Sequence, residues 1–207
     1  MRAPFAILLL LLAAAPAAAQ HEHADLGFQL GYSRARFSGD QPGLPESRNG
    51  SLFGVFYGRP VAGPLSLQGE IFLAKKGGGL STVVATFPVQ LSIQLVYIEM
   101  PLLARFAIPL RGRFHPNVFG GGSVGLNIGC DIQGEVPGVI DQQACDEAAN
   151  VNVNSLDLGA VVGAGVEYDW RDSSARLEFR QSLGLREVLP GDVAKNRIWA
   201  ILFGITL

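Results

Sequence analysis

The sequence predicts an all-β chain folded as an eight-stranded antiparallel up-and-down transmembrane β-barrel, and three observations carry that prediction. Apolar residues alternate with small or polar ones along the chain, while helical periodicity is hard to find. The alternating segments number eight, an even count, and each is long for a globular strand but suited to a tilted membrane crossing. The connections alternate between short and longer, the pattern of a barrel with short periplasmic turns and long extracellular loops.

The chain opens with "MRAPFAILLLLLAAAPAAAQ", in which one basic residue, Arg2, precedes an apolar run and small residues at Ala17 and Ala19. This is the pattern of a secretory signal peptide over residues 1–19, cleaved before Gln20, and it leaves residues 20–207 as one barrel domain. After the leader no apolar run is long enough for a transmembrane helix. Yet 48% of the chain is hydrophobic, only 16% is charged and 26 residues are glycine. An exported chain of that composition has to place much apolar surface somewhere other than water. With 16 basic against 18 acidic residues, it also lacks the basic excess of a nucleic-acid binder.

The eight segments lie near 24–37, 50–60, 64–76, 92–106, 114–128, 154–168, 174–187 and 197–207. In the first, Leu26, Phe28, Leu30 and Tyr32 share a face opposite Gly27, Gln29, Gly31 and Ser33. The third sets Leu65, Leu67, Ile71 and Leu73 against Ser66, Gln68, Glu70, Phe72 and Ala74. The sixth sets Leu158, Val162 and Val166 against Asp157, Gly163 and Glu167, and the seventh sets Leu177 and Phe179 against Arg176, Glu178 and Arg180. The short connections are "RPVAGP", "AIPLRGR" and "DWRDSS"; "KKGGGL" at 75–80 reads as part of a flexible outer loop.

The non-apolar face is rich in glycine, which suits a cramped lumen better than the outside of a soluble sandwich. The apolar face therefore meets lipid. Tyr57, Phe106, Phe114, Tyr168 and Trp170 fall at one end of their segments and Tyr32 and Trp199 at the other, as two interfacial girdles would.

The fourth segment contains "YIEMPLLARF", which turns Ile98, Met100, Leu102, Ala104 and Phe106 to lipid and Glu99, Pro101, Leu103 and Arg105 to the lumen. Pro101 lacks an N–H for the ladder, and a local bulge would accommodate it. Upstream, Gln90, Ser92 and Gln94 fall on the opposite parity, so a bulge near Val96 and Tyr97, or exit from the membrane there, is expected.

This strand, with the later "GAVVGAGVEY", "LEFRQSLGL" and closing "KNRIWAILFGITL", resembles the PorT-like outer-membrane beta-barrel family of the Bacteroidetes and their relatives. The resemblance covers most of the mature chain. It implies an eight-stranded barrel, sometimes labelled a porin, with one branch serving a secretion and gliding apparatus. The chain departs from the usual aromatic C-terminal residue by ending on Leu207, although Phe203, Ile205 and Leu207 keep the outward alternation that the barrel-assembly machinery reads.

Cys130 and Cys145 in an exported chain read as a disulfide within one loop-like segment. The inward face holds five acids, Glu70, Glu99, Asp157, Glu167 and Glu178, and five bases, Lys76, Arg105, Arg176, Arg180 and Arg186. That balance predicts a lumenal network of salt bridges. Centring the "DWRDSS" turn between Arg171 and Asp172 sets Glu167 opposite Arg176, Asp157 opposite Arg186 and Gly163 opposite Arg180.

Catalytic chemistry is scarce. The histidines are His21, His23 and His115, and His115 with Ser123 lacks the spacing of the membrane lipid-A deacylases. "HEH" at 21–23 would form a copper-type site only if cleavage followed Gln20. No catalytic, cofactor or metal residue is assigned. The expected function is a non-enzymatic integral outer-membrane protein with a structural, binding or assembly role in the cell envelope. A small passive porin-like channel is the alternative and an outer-membrane hydrolase the third. The expected partners are outer-membrane lipid, the barrel-assembly machinery and an envelope or extracellular protein, with termini in the periplasm and long loops outside.

Overall fold

The computed structural model describes residues 25–38, 46–84, 87–136, 139–144, 155–171, 173–185 and 195–207. Every regular element among them is a β-strand. The strands are β1 (Asp25–Ser38), β2 (Glu46–Ala62), β3 (Leu65–Val84), β4 (Phe87–Ala107), β5 (Phe114–Val136), β6 (Val139–Ala144), β7 (Leu156–Trp170), β8 (Ser173–Gly184) and β9 (Lys195–Thr206). Pairing runs β4-β3-β2-β1-β9-β8-β7-β5, and β4 pairs back onto β5, so eight antiparallel strands close a barrel. The closing seam joins the first strand to the last, from Gly27 opposite Thr206 to Ser38 opposite Lys195. The sixth strand, β6, lies outside the ring and pairs with the far end of β5.

Two of the tight reversals use left-handed backbone. Gly63 between β2 and β3 has φ of 53°, and Arg171 between β7 and β8 has φ of 57°. Glycine adopts that conformation without steric cost, whereas Arg171 carries its Cβ against it.

At the opposite end the structure differs from the sequence reading. "KKGGGL" is strand, not loop: β3 continues to Val84 and pairs with β4 up to Val84 opposite Phe87. The loop-like segment after Cys130 is likewise the β5–β6 hairpin, with Asp131 opposite Ala144 and Val136 opposite Val139. Neither stretch shows the apolar alternation that marks a lipid-facing strand. Their strand structure comes from backbone pairing with neighbours that continue beyond the barrel wall. The signal peptide, Cys145 and Arg186 lie outside the described residues.

In β4 the irregularity sits between Val96 and Tyr97, where expected, but the additional residue belongs to the partner strand. Val96 pairs with Gly129 and Tyr97 with Asn127, which leaves Ile128 of β5 unopposed. Strand β4 itself alternates without interruption from Leu95 to Arg105, and Gln94 accepts from Arg48 Nη2 at 2.9 Å. Pro101 causes no bulge. It keeps its place opposite Ser123, and the β3–β4 ladder skips the two positions at Glu70 and Ile71 while holding register on either side.

Burial is inverted relative to a water-soluble protein. Leu30, Phe53, Ile71, Leu102, Leu177 and Ile201 are exposed on the outer wall, whereas Gln29, Glu70, Arg105, Arg176, Glu178 and Arg180 are buried inside. Alternation in β8 and β9 is close to strict. No helix among the described residues is long and apolar enough to cross a membrane; the strands present the apolar belt. Phe114 and Tyr168 meet at 4.8 Å near the short turns, and Phe179 stacks on Trp199 at 5.2 Å on the outer wall.

Candidate functional site

The lumen is filled by charged side chains, and glycines in the wall make the room. Across four successive strands the register runs Arg105 on β4, Phe119 on β5, Gly163 on β7 and Arg180 on β8. The Phe119 ring lies over Gly163, where an added Cβ would come within 2.5 Å of it. From that seat the ring meets the guanidinium of Arg105 at 4.6 Å and that of Arg180 at 5.4 Å. The same device recurs on β2 and β3. Phe56 covers Gly27 and carries Arg176 at 4.2 Å, while Phe72 covers Gly54 and faces Arg180 at 5.4 Å. Cations over ring faces gain roughly 0.5–2 kcal/mol each, more where water is excluded.

Around these rings three arginines and three glutamates form one connected cluster. Arg180 grips Glu70 through both terminal nitrogens, at 2.7 Å and 3.1 Å, the two-pronged geometry a guanidinium offers a carboxylate. Its Nη2 also reaches Glu178 Oε2 at 2.5 Å, and the other Glu178 oxygen accepts from Arg105. Gln68 extends the chain by donating to Glu70 at 2.5 Å and accepting from Arg176 Nη1 at 2.7 Å. Arg176 Nη2 meets Glu167 Oε2 at 3.3 Å, and Ser174 donates to the other oxygen of Glu167. Asn117 accepts from Arg105 Nη1 at 3.1 Å.

A second cluster lies on the other side of the apolar group Leu103, Phe119 and Val161. Glu99 and Asp157 face each other across Gly125, which stands opposite both in the ladder. Lys76 pairs with both, contacting Glu99 and reaching Asp157 Oδ2 at 3.1 Å, with its ammonium 4.8 Å from the Tyr97 ring. Asn196 donates to the same Asp157 oxygen at 3.0 Å across Gly184, a glycine that has no space for a Cβ beside it. Two carboxylates therefore share one ammonium.

The structure thus brings together Glu70, Glu167, Glu178, Arg105, Arg176 and Arg180 in one cluster and Lys76, Glu99 and Asp157 in the other. The hairpin register is the expected one, with Glu167 opposite Arg176 and Gly163 opposite Arg180. It continues through Leu185 donating to the Leu158 carbonyl at 2.7 Å. The described partners of Asp157 are Lys76 and Asn196; its expected partner Arg186 lies outside the described residues. Gln68, Asn117, Ser174, Asn196 and the four rings Phe56, Phe72, Tyr97 and Phe119 were not singled out from the sequence as network members. Their inward parity was readable, and an inward aromatic in a glycine-rich wall was the available signal.

His115 pairs with Asp169 Oδ2 at 2.9 Å near the short turns, and both are solvent-accessible. Ser123 stands eight positions along the same strand, at about 3.3 Å per residue, so the two cannot act as a hydrogen-bonded pair. A cavity of about 60 Å³ lies at this end, lined by Asp25, Gln68, Arg105, His115, Glu167 and Arg176. Among the described residues no group of three or more histidine, cysteine or acidic side chains is placed to hold a metal ion.

A family profile, that of the outer membrane protein beta-barrel domain, matches residues 18–189. The chain belongs to the outer membrane protein beta-barrel domain family. The closed eight-stranded wall and its apolar belt are what that family's outer-membrane location requires. Among solved structures, the outer membrane protein OprG from Pseudomonas aeruginosa is 10% identical, with a TM-score of 0.54 over 90% of this chain and 96% of that one. Neisserial surface protein A is 14% identical, with a TM-score of 0.49 over 90% of this chain and 99% of that one. No curated protein sequence matches.

Proposed function

We propose that this outer-membrane barrel is non-enzymatic and closed to ion flow, and that it serves as a rigid carrier for the elongated hairpins at its long-loop end. Those hairpins bind an envelope or extracellular partner or hold a larger assembly together. The observation that supports this reading is the buried ionic core. An eight-stranded lumen is only wide enough for its own side chains, and here they are tied to one another across it.

The proposal includes a cleaved leader over residues 1–19, a disulfide between Cys130 and Cys145 tying the β5–β6 hairpin, periplasmic termini, and long hairpins facing outside. The "YIEMPLLARF" strand and the closing "KNRIWAILFGITL" support placing the chain in the PorT-like branch of its family. Pairing of His115 with Asp169 at the rim supports a structural role for that histidine.

Purified protein in planar bilayers is expected to show no steady conductance. Reproducible, ion-selective single-channel steps would overturn the closed-lumen reading in favour of a passive channel. Phospholipid or lipid-A turnover that is lost in His115→Ala would establish an enzyme instead.

A further inference from the structure

The lumenal charges are paired, but three arginines on the outer wall are arranged differently. Arg36 on β1 stands directly opposite Arg197 on β9 in the closing seam, and both belong to the outward parity, since Ala35 and Ile198 beside them point inward and are buried. Arg34, two residues along β1 on the same face, stands opposite Trp199. Side chains directly opposed in an antiparallel pair start about 4.5–5.5 Å apart at Cβ, and like charges there repel. Among the described residues no carboxylate pairs with Arg36 or Arg197. Arg34 donates through Nε to Ser47 Oγ at 2.6 Å, which fixes its fork beside the pair.

The position of this triad matters as much as its charge. Below it on the same face are Tyr32, Leu30, Trp199, Ile201 and Phe203, all exposed and apolar or aromatic. The apolar belt of β1 and β9 therefore ends at Tyr32 and Trp199, and the guanidiniums begin at the next outward position. An aromatic girdle marks the level of lipid headgroups, so the triad lies at the interface, where water competes less than in bulk. Three guanidiniums at that level, two of them mutually repulsive, are satisfied by a phosphate, which accepts two-pronged bonds from each. A phosphate carrying acyl chains would lay them along Leu30, Tyr32, Ile201 and Phe203.

We propose that Arg34, Arg36 and Arg197 form a site for the phosphate of a phosphorylated glycolipid of the outer leaflet, with its acyl chains on the β1–β9 wall. The choice of leaflet rests on the outward orientation of the long-loop end proposed above; binding in vitro does not depend on it, so failures of the two readings are distinguishable.

The test is native mass spectrometry of the folded full-length barrel in detergent, titrated with bisphosphorylated lipid A. The comparison arms are the same lipid with its phosphates removed, phosphatidylglycerol, and inorganic phosphate as competitor. Arg36→Gln with Arg197→Gln is expected to weaken lipid A binding by about thirtyfold, the combined pull of two interfacial cations on anionic lipid. Arg111→Gln with Arg113→Gln, in the turn at the other end of the barrel, is expected to leave it unchanged. Removal of the phosphates should abolish the difference between wild type and variant, and phosphatidylglycerol should bind more weakly than lipid A. The heat-dependent gel shift identifies folded barrel. Should the double variant not fold, Arg36→Lys keeps the charge but loses the fork and should weaken binding by itself.

Wild-type affinity in the folded Arg36/Arg197 variant, equal binding of dephosphorylated lipid, or equal loss in the turn variant would overturn the site. Equal binding of phosphatidylglycerol, or displacement by inorganic phosphate at matched concentration, would overturn the glycolipid as its occupant.

Discussion

Arg176 stands directly across the β7–β8 ladder from Glu167 and donates to it at 3.3 Å, while its other terminal nitrogen holds Gln68 and its guanidinium lies over Phe56. The two partners are thus unequal: Glu167 sits toward the rim and is partly exposed, and Arg176 is buried among Gln68, Phe56 and, at 3.8 Å, Glu178. In urea unfolding of Glu167→Gln, Arg176→Gln and the double variant, the arginine replacement should be the more damaging single change. The coupling energy should fall at roughly 0.5–3 kcal/mol. Strictly additive losses would show that the pair does not interact.

The lysine that two carboxylates share should be the most sensitive position in the second cluster. Lys76→Met leaves Glu99 and Asp157 facing each other across Gly125 without a cation, and losing one partner of a buried ion pair costs roughly 3–5 kcal/mol. Neutralising all three with Lys76→Met, Glu99→Gln and Asp157→Asn should be less damaging than Lys76→Met alone. A triple variant with the lower denaturation midpoint would refute the shared-cation account.

Glycine in the wall should be needed only where a ring or neighbouring backbone leaves no room for a Cβ. Gly163→Ala drives a methyl group into Phe119 and toward the Phe179 carbonyl, each 2.5 Å away, and should lower stability by about 1–3 kcal/mol. Gly69→Ala meets nothing within 4 Å and should stay within about 0.5 kcal/mol of wild type. Equal effects at the two positions, measured by the same urea midpoint, would mean that backbone freedom rather than close packing decides.

Orientation is open to direct measurement. In a cysteine-free background, Gly138→Cys in the β5–β6 connection should react with an impermeant thiol reagent on intact cells, and Asp172→Cys in the β7–β8 turn should not. The reverse labelling pattern would invert the topology.

The strand count of the barrel, the inward and outward faces, and the β7–β8 register were legible because each follows from local alternation and one turn. The ionic core was legible only as a list. Which glutamate meets which arginine depends on contacts across the lumen, as between Arg180 and Glu70, whose positions are 110 residues apart. No local pattern encodes such a meeting. The β3–β4 extension was missed because glycines 77–79 offer no alternation to read. An irregularity does lie near Val96, but β4 keeps its parity there and the extra residue, Ile128, belongs to the neighbouring strand, which parity along one strand cannot reveal.

The lumenal clusters also bear on the order in which the barrel is completed. Arg180 draws on Glu70 from β3 and Gln29 from β1, while Arg105 on β4 shares Glu178 with it. Until β1 and β9 meet, those strands form an open sheet on which such partners are far apart and still hydrated. Hairpins can assemble locally, because each needs only its own turn, but the cross-lumen bonds become available only when the ring shuts. The last pairing of strands therefore gains the hydrogen bonds of the seam together with the neutralisation of the interior. A nearly finished barrel is consequently much less stable than a finished one, which makes closure an all-or-none event.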